Sequence, residues 1–325
     1  MTINHDATFR RMPSKELSIS PEWGFLNGTA CSTTLPDNFD EIFQVSLDLG
    51  VRLRERALRP YFESATPLDI PLSLSESQYR RLWSIFGFLA SAYIFSIYEA
   101  DVATVLPPSL AVPFFKLSRI FNMLPILNYD GYVYNNFRTL DQKNTPAKPE
   151  NFAPLLTFSV PGDEEYEGEQ WFITVHVAAE KRIGPTIAKL DQIQQHLDNG
   201  GGAKQVDEFS EELAQGLDDM GSIVSRMRER LLPELYAFTT RRYVVPYQGI
   251  LFSGVKELEN KPQFFRGETG GQSPIPRAIA AFLELQHQSS NMAELSDHML
   301  LGHRRYVERL RGRTSLHLHA IHRPE

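Results

Sequence analysis

The sequence predicts an all-α protein, and three observations carry that reading. Apolar residues recur at spacings of three and four along most of the chain. Strand signals are few. The stretches with helical periodicity add up to well above the third of residues usual in a globular domain.

The elements follow in order. Residues 1–36 are rich in Pro, Gly, Ser and Thr and read as an extended arm. From Asp37, the residues Ile42, Val45, Leu47 to Leu49 and Leu53 form one apolar stripe, so a helix runs to Pro60. Ser75 with Gln78 has the spacing of a capping box and starts a long helix to about Glu99. Its stretch Leu82 to Tyr98 is the most apolar in the chain, but three serines make it too polar and too short to span a bilayer. Leu106-Pro107-Pro108 breaks the chain, and a helix follows over Leu110 to Phe121. Pro125 to Tyr134 taken alone could be a strand. Asp141 to Pro154, polar with three prolines, is the best candidate for a linker. Asp163 to Glu169 reads as an acidic loop. Trp171 to Leu190 is helical, with Gly184-Pro185 expected to kink or break it. A long amphipathic helix covers Val206 to about Leu232, and Leu235 to Tyr243 follows Pro233. Gly267 to Gly271 is a glycine-rich loop. Helices over Ala278–Gln286 and Met292–Arg311 complete the chain.

These elements divide into a small N-terminal helical domain with its arm over 1–140, a linker over 141–154, and a larger helical-bundle domain over 155–325.

Composition narrows the function. The 325 residues are 42% hydrophobic and 22% charged, ordinary for a soluble protein with a sizeable core. The net charge of −7 argues against nucleic acid as a partner, because nothing general attracts phosphate. The basic run Arg304 to Arg313 is local, as on a solvated last helix. A lone cysteine, Cys31, excludes a disulfide framework and any cysteine-based zinc or iron–sulfur site. The N-terminus lacks the apolar core of a secretory signal. A cytoplasmic, non-membrane protein is expected.

Few residues stand out for chemistry. Phe172, His176 and Glu180, at i, i+4 and i+8, share one helix face and could line a pocket, although a histidine on an apolar helix is more often a satisfied structural residue. In Arg266-Gly-Glu-Thr-Gly-Gly-Gln-Ser273, glycines allow close backbone approach and hydroxyls offer donors. The loop lacks the Walker spacing and its lysine, and an ordinary surface turn is the plain alternative. Arg241 facing a cavity would clamp a carboxylate through two parallel hydrogen bonds; otherwise it is a surface ion pair. His317, His319 and His322 resemble a metal-binding tract by composition only, and no HExxH motif occurs.

Taken together, several segments resemble the indoleamine 2,3-dioxygenase family. Asp101 to Ser118 resembles its Leu-Pro break followed by a helix starting Ala-Val-Pro. Leu124-Pro-Ile-Leu-Asn-Tyr129 is similar to its Pro-Pro-Ile-Leu-x-Tyr stretch. Phe172 to Glu180 looks like the helix on the distal side of the haem. Gly267-Glu-Thr-Gly-Gly-Gln-Ser273 resembles its Gly-Gly-Ser-Ala-Gly-Gln-Ser loop, and His303-Arg-Arg-Tyr306 its His-Arg-x-Phe motif. The matches keep their order from about Trp23 to the end.

The resemblance implies an all-α fold whose larger domain holds haem b, and a haem-dependent oxygenase that uses O₂ to open or oxidise the indole C2–C3 bond of tryptophan or a related indole. It implies that Phe172 packs on the indole and that His176 lies over the distal face as a catalytic group. Tyr236 would contact substrate, Arg241 would hold its carboxylate, and Thr269 with Gly270 and Gly271 would reach the substrate ammonium or a haem propionate. The family's proximal histidine lies some forty residues beyond the His-Arg-x-Phe motif, and no equivalent helix is found before Glu325. His303 could take that role on a shortened helix, or His319 in the tail. Otherwise the chain is truncated or a degenerate member that binds an indole-type ligand without competent haem.

Overall fold

The computed structural model describes residues 19–28, 31, 33–141, 146–285 and 295–312. The fold is helical, as the periodicity predicts. The first predicted helix is three shorter ones: α1 (Asp40–Leu47), α2 (Leu49–Arg54) and α3 (Leu58–Ser64). Arg56, at φ 55°, turns the chain between the last two. Pro60 lies in the first turn of α3, where its missing N–H is tolerated.

Helix α4 (Glu76–Phe95) begins at the predicted capping box. The Ser75 hydroxyl accepts from the Gln78 N–H at 3.3 Å, and the Gln78 side chain accepts from the Ser75 N–H at 2.9 Å. It is buried on almost every side. It stops at Phe95, short of Glu99, because arginines from elsewhere take its last carbonyls. Arg59 donates to Tyr93 and Ile94, and Arg242 donates to Phe95. Helix α5 (Pro108–Phe121) carries Pro at its first position. The stretch read as a possible strand is instead a π-helical turn over Asp130–Tyr134, wholly buried against α4.

The central element is α6 (Glu164–Asp198), 35 residues long. The predicted acidic loop forms its first turns, since Glu164, Glu165 and Glu167 are favoured beside the positive end of the helix dipole. Gly184-Pro185 does not break it. Gly184 serves a close approach instead: a Cβ there would collide with the backbone of Gly24, so the N-terminal arm is seated on the helix at this point. Helix α7 (Ala203–Ser225) packs along α6. Then come α8 (Pro233–Phe238), a 3₁₀ turn over Arg241–Val244, α9 (Pro274–Phe282) and α10 (Leu301–Arg311).

Two small sheets were not predicted. Strand β1 (Val105–Leu106) runs parallel to β4 (Tyr247–Phe252), which pairs antiparallel with β5 (Gln263–Phe265). Strand β2 (Phe137–Thr139) pairs with β3 (Phe152–Pro154), so the segment expected to be a linker ends in a strand. One hydrophobic cluster runs from Ile19 to Leu310 across that segment. Phe88, Phe158 and Tyr243 join its parts, with ring centroids 4.7 and 4.3 Å apart. Among the described residues, no helix is long and apolar enough to cross a membrane.

Candidate functional site

The site is built on the α6 face that carries Phe172, His176 and Glu180. Phe172 and His176 are half-buried, and their rings lie 4.3 Å apart. Tyr236, at the end of α8, stacks on Phe172 at 4.8 Å and 24°. Tyr132 packs 6.0 Å from Phe172. The hydroxyls of Tyr132 and Tyr236 are buried and neither makes a well-directed hydrogen bond. A cavity of about 210 Å³ opens beside Tyr236, lined also by Gly168, Glu169 and Leu235.

His176 Nδ1 lies 2.8 Å from the Phe172 carbonyl. A proton on Nδ1 satisfies that carbonyl and makes Nε2 the accepting nitrogen. Burial lowers the pKa of the ring and so favours neutral imidazole.

Glu180 is buried beneath this face. Tyr129 and Tyr134 donate to its two oxygens at 3.1 and 2.9 Å, and Tyr134 lies 3.1 Å from the Ser273 hydroxyl. Burial raises Glu180 to about 7, although these hydrogen bonds favour its charged form. The network ties α6 to the glycine-rich loop. Gln272 strengthens the tie by accepting from the Tyr129 N–H at 2.8 Å and donating to the Gly267 carbonyl at 3.0 Å.

The loop is also pinned to the segment that carries Arg241. Gly267 sits so close to Val244 and Val245 that a Cβ would strike their backbone, and the Glu268 N–H donates to the Val244 carbonyl at 3.0 Å. Arg241 donates to the Glu268 carbonyl at 3.1 Å and lies 3.4 Å from its carboxylate. The Glu268 side chain is 1% exposed, and that of Arg241 43%. Burial pushes Glu268 up to about 7 against the pull of Arg241. Thr269 caps the 3₁₀ turn over Gly270–Gln272, with Gly270 and Gly271 exposed.

Phe172, His176, Tyr236, Arg241 and the 269–271 loop are therefore brought into one neighbourhood from distant parts of the chain. His303 is not. It is 3% exposed on α10, between the rings of Phe25 at 4.9 Å and Tyr134 at 6.0 Å. Ring contacts run from His176 to Tyr129 to Tyr134 to His303, at 5.8, 5.1 and 6.0 Å. Two tyrosine rings thus link the two histidines. The described residues around His303 leave no open face on its ring for a haem. No cluster of three metal-ligating side chains occurs among the described residues. His319 lies outside them.

Sequence reasoning missed Tyr129, Tyr132, Tyr134 and Glu268. The tyrosines sat in a stretch read as a possible strand. Glu268 was visible as a departure, because the family loop has glycine at that position.

Comparison with known proteins identifies the family. The family model for indoleamine 2,3-dioxygenase matches residues 13–325. The chain is 26% identical over 286 residues to indoleamine 2,3-dioxygenase 1 of Mus musculus, covering 84% of this chain and 68% of that protein. It is 26% identical to indoleamine 2,3-dioxygenase 2 of the same species, covering 92% and 73%. A 6-hydroxytryptophan 2,3-dioxygenase of Fusarium equiseti is 25% identical, covering 90% and 72%. With its helical fold and a match over nearly its whole length, the chain belongs to the indoleamine 2,3-dioxygenase family.

Proposed function

We propose that this chain binds an indole substrate on the α6 face and serves as the substrate side of a haem-dependent oxygenase. The carrying observation is the convergence of Phe172, His176 and Tyr236, half-buried, beside the Arg241–Glu268 pair. The Phe172 ring offers an apolar face to an indole. His176, neutral through burial, accepts the indole N–H at Nε2. The glycine-rich loop closes the polar end, where Thr269, Gly270 and Gly271 contact the substrate side chain. Tryptophan or a related indole is the substrate class, as the names of the relatives support.

The cofactor implied by the family is haem b, with O₂ as co-substrate and the dioxygen chemistry supplied by the cofactor. In this reading the iron ligand is outside the described residues, with His319 the named alternative. A second reading, an indole-binding member of the scaffold without haem, is favoured by the enclosure of His303.

Titration of the purified protein with hemin separates the two. The oxygenase reading expects a Soret band that shifts on reduction and on CO binding, survives His303→Ala and is lost in His319→Ala. A protein that takes up no hemin yet binds indoles in calorimetry leaves only the second reading. A protein that binds neither sinks both.

A further inference from the structure

Arg241 is the group whose family counterpart holds a substrate carboxylate, yet here it already has one. Glu268 bonds it through both backbone carbonyl and side chain. The Glu268 carboxylate is almost wholly enclosed, while the Arg241 side chain that it pairs with reaches solvent. The residue stands where the family loop has glycine, which has no side chain to place there.

The charge around the aromatic cluster follows from this. Glu268 acts electrostatically on Tyr236, Tyr132 and Tyr129. Glu169, a second buried carboxylate, acts on Tyr236 and Tyr132. Its hydrogen-bond donors are the N–H groups of Phe158 and Ser159 and the Ser159 hydroxyl. Arg230 lines the cavity beside Tyr236 but pairs with Glu167 and lies over Trp171. Two buried carboxylates therefore lie beside this cluster: Glu169 lines the cavity next to Tyr236, and Glu268 holds Arg241. The Tyr132 hydroxyl, on a side chain with no exposure, lies beside that of Tyr236 in the same place.

We infer that Glu268 is a specificity-determining residue that occupies the carboxylate clamp from within, so that the site selects an indole bearing a cationic amine and no free carboxylate. The inference rests on the indole-binding reading above. A substrate carboxylate would have to displace a buried internal one, and would meet repulsion from Glu268 and Glu169. An ammonium on the side chain is attracted by both and leaves the Arg241 pair intact. Burial raises both glutamates to about 7, so a neighbouring cation also favours their ionised form.

The test is calorimetric binding of three probes to the full chain: tryptamine, L-tryptophan and indole-3-propionate. The wild type is expected to bind tryptamine about tenfold or more tighter than tryptophan, and indole-3-propionate most weakly. Glu268→Gly, which restores the family residue, and Glu268→Gln, which keeps the side-chain volume, should both reverse the tryptamine–tryptophan order. Tryptophan matching or exceeding tryptamine in the wild type overturns the inference, as does an order unchanged in both variants while indoles still bind. If no probe binds to any of the three proteins, the indole-binding reading fails and takes the inference with it.

Discussion

The surroundings of His176 and of His303 make an instructive pair. Both histidines sit on helices, and both have lowered pKa values for the same first reason, burial. They differ in what faces each ring. His176 has one nitrogen engaged by its own helix, and the ring stays half-buried beside Phe172. His303 is wedged between Phe25 from the N-terminal arm and Tyr134 from the π-helical turn. The first arrangement leaves a nitrogen for a ligand. The second uses the imidazole as a packing element that locks the arm onto α10. A motif match alone ranks the two equally, and only the neighbours separate them.

The comparison can be broken most sharply on the His303 side. Phe25→Ala should destabilise the protein by about 3–5 kcal/mol, as for a buried ring removed from a packed core, with a matching loss in urea midpoint. A small loss would mean that the arm is not a true part of the core and that His303 is more accessible than its packing shows.

The next effect concerns Glu180, which joins the two regions through Tyr129 and Tyr134. Its folded pKa of about 7 lies above the ordinary 4.5. The folded state therefore holds the proton more tightly than the unfolded one. That stabilisation is complete below about 4.5 and is lost as the pH rises through about 7. The loss is on the order of 3 kcal/mol. The buried histidines act in the opposite sense below their ordinary range, so the difference between wild type and Glu180→Gln is the cleaner measure. The variant should be the flatter of the two when unfolding is followed from pH 5 to pH 8. Parallel curves would show that Glu180 stays ionised throughout.

On the His176 side the effects fall on binding. Phe172→Ala should weaken an indole probe about tenfold or more, with less cost in stability than Phe25→Ala because the ring is only half-buried. His176→Ala should weaken it by the smallest amount, about 0.5–1.5 kcal/mol for one neutral hydrogen bond, and leave the unfolding midpoint nearly unchanged. A large stability loss in either variant would place these residues with His303, as core.

Much of the fold was legible in the sequence where a local rule decides it. The Ser75–Gln78 box marked the start of α4, and the periodicity beyond Trp171 marked the body of α6. The errors share a cause. Gly184-Pro185 did not break α6, because the break signal is local while the helix is held by packing along its whole length. Pro125 to Tyr134 has the composition of a strand, but its last residues coil into a turn whose tyrosines reach Glu180. The three helices at 40–64 looked like one because their shared stripe faces the same core.

By itself the sequence determined the helical class, the order of the segments and the face on which Phe172, His176 and Glu180 lie, because i, i+4 spacing is a property of the helix alone. Only the tertiary structure decided that Tyr236 stacks on that face, that Arg241 is already paired with Glu268, and that His303 is enclosed. These depend on side chains tens to hundreds of residues apart meeting within a few ångströms, and burial then sets the charge each one carries.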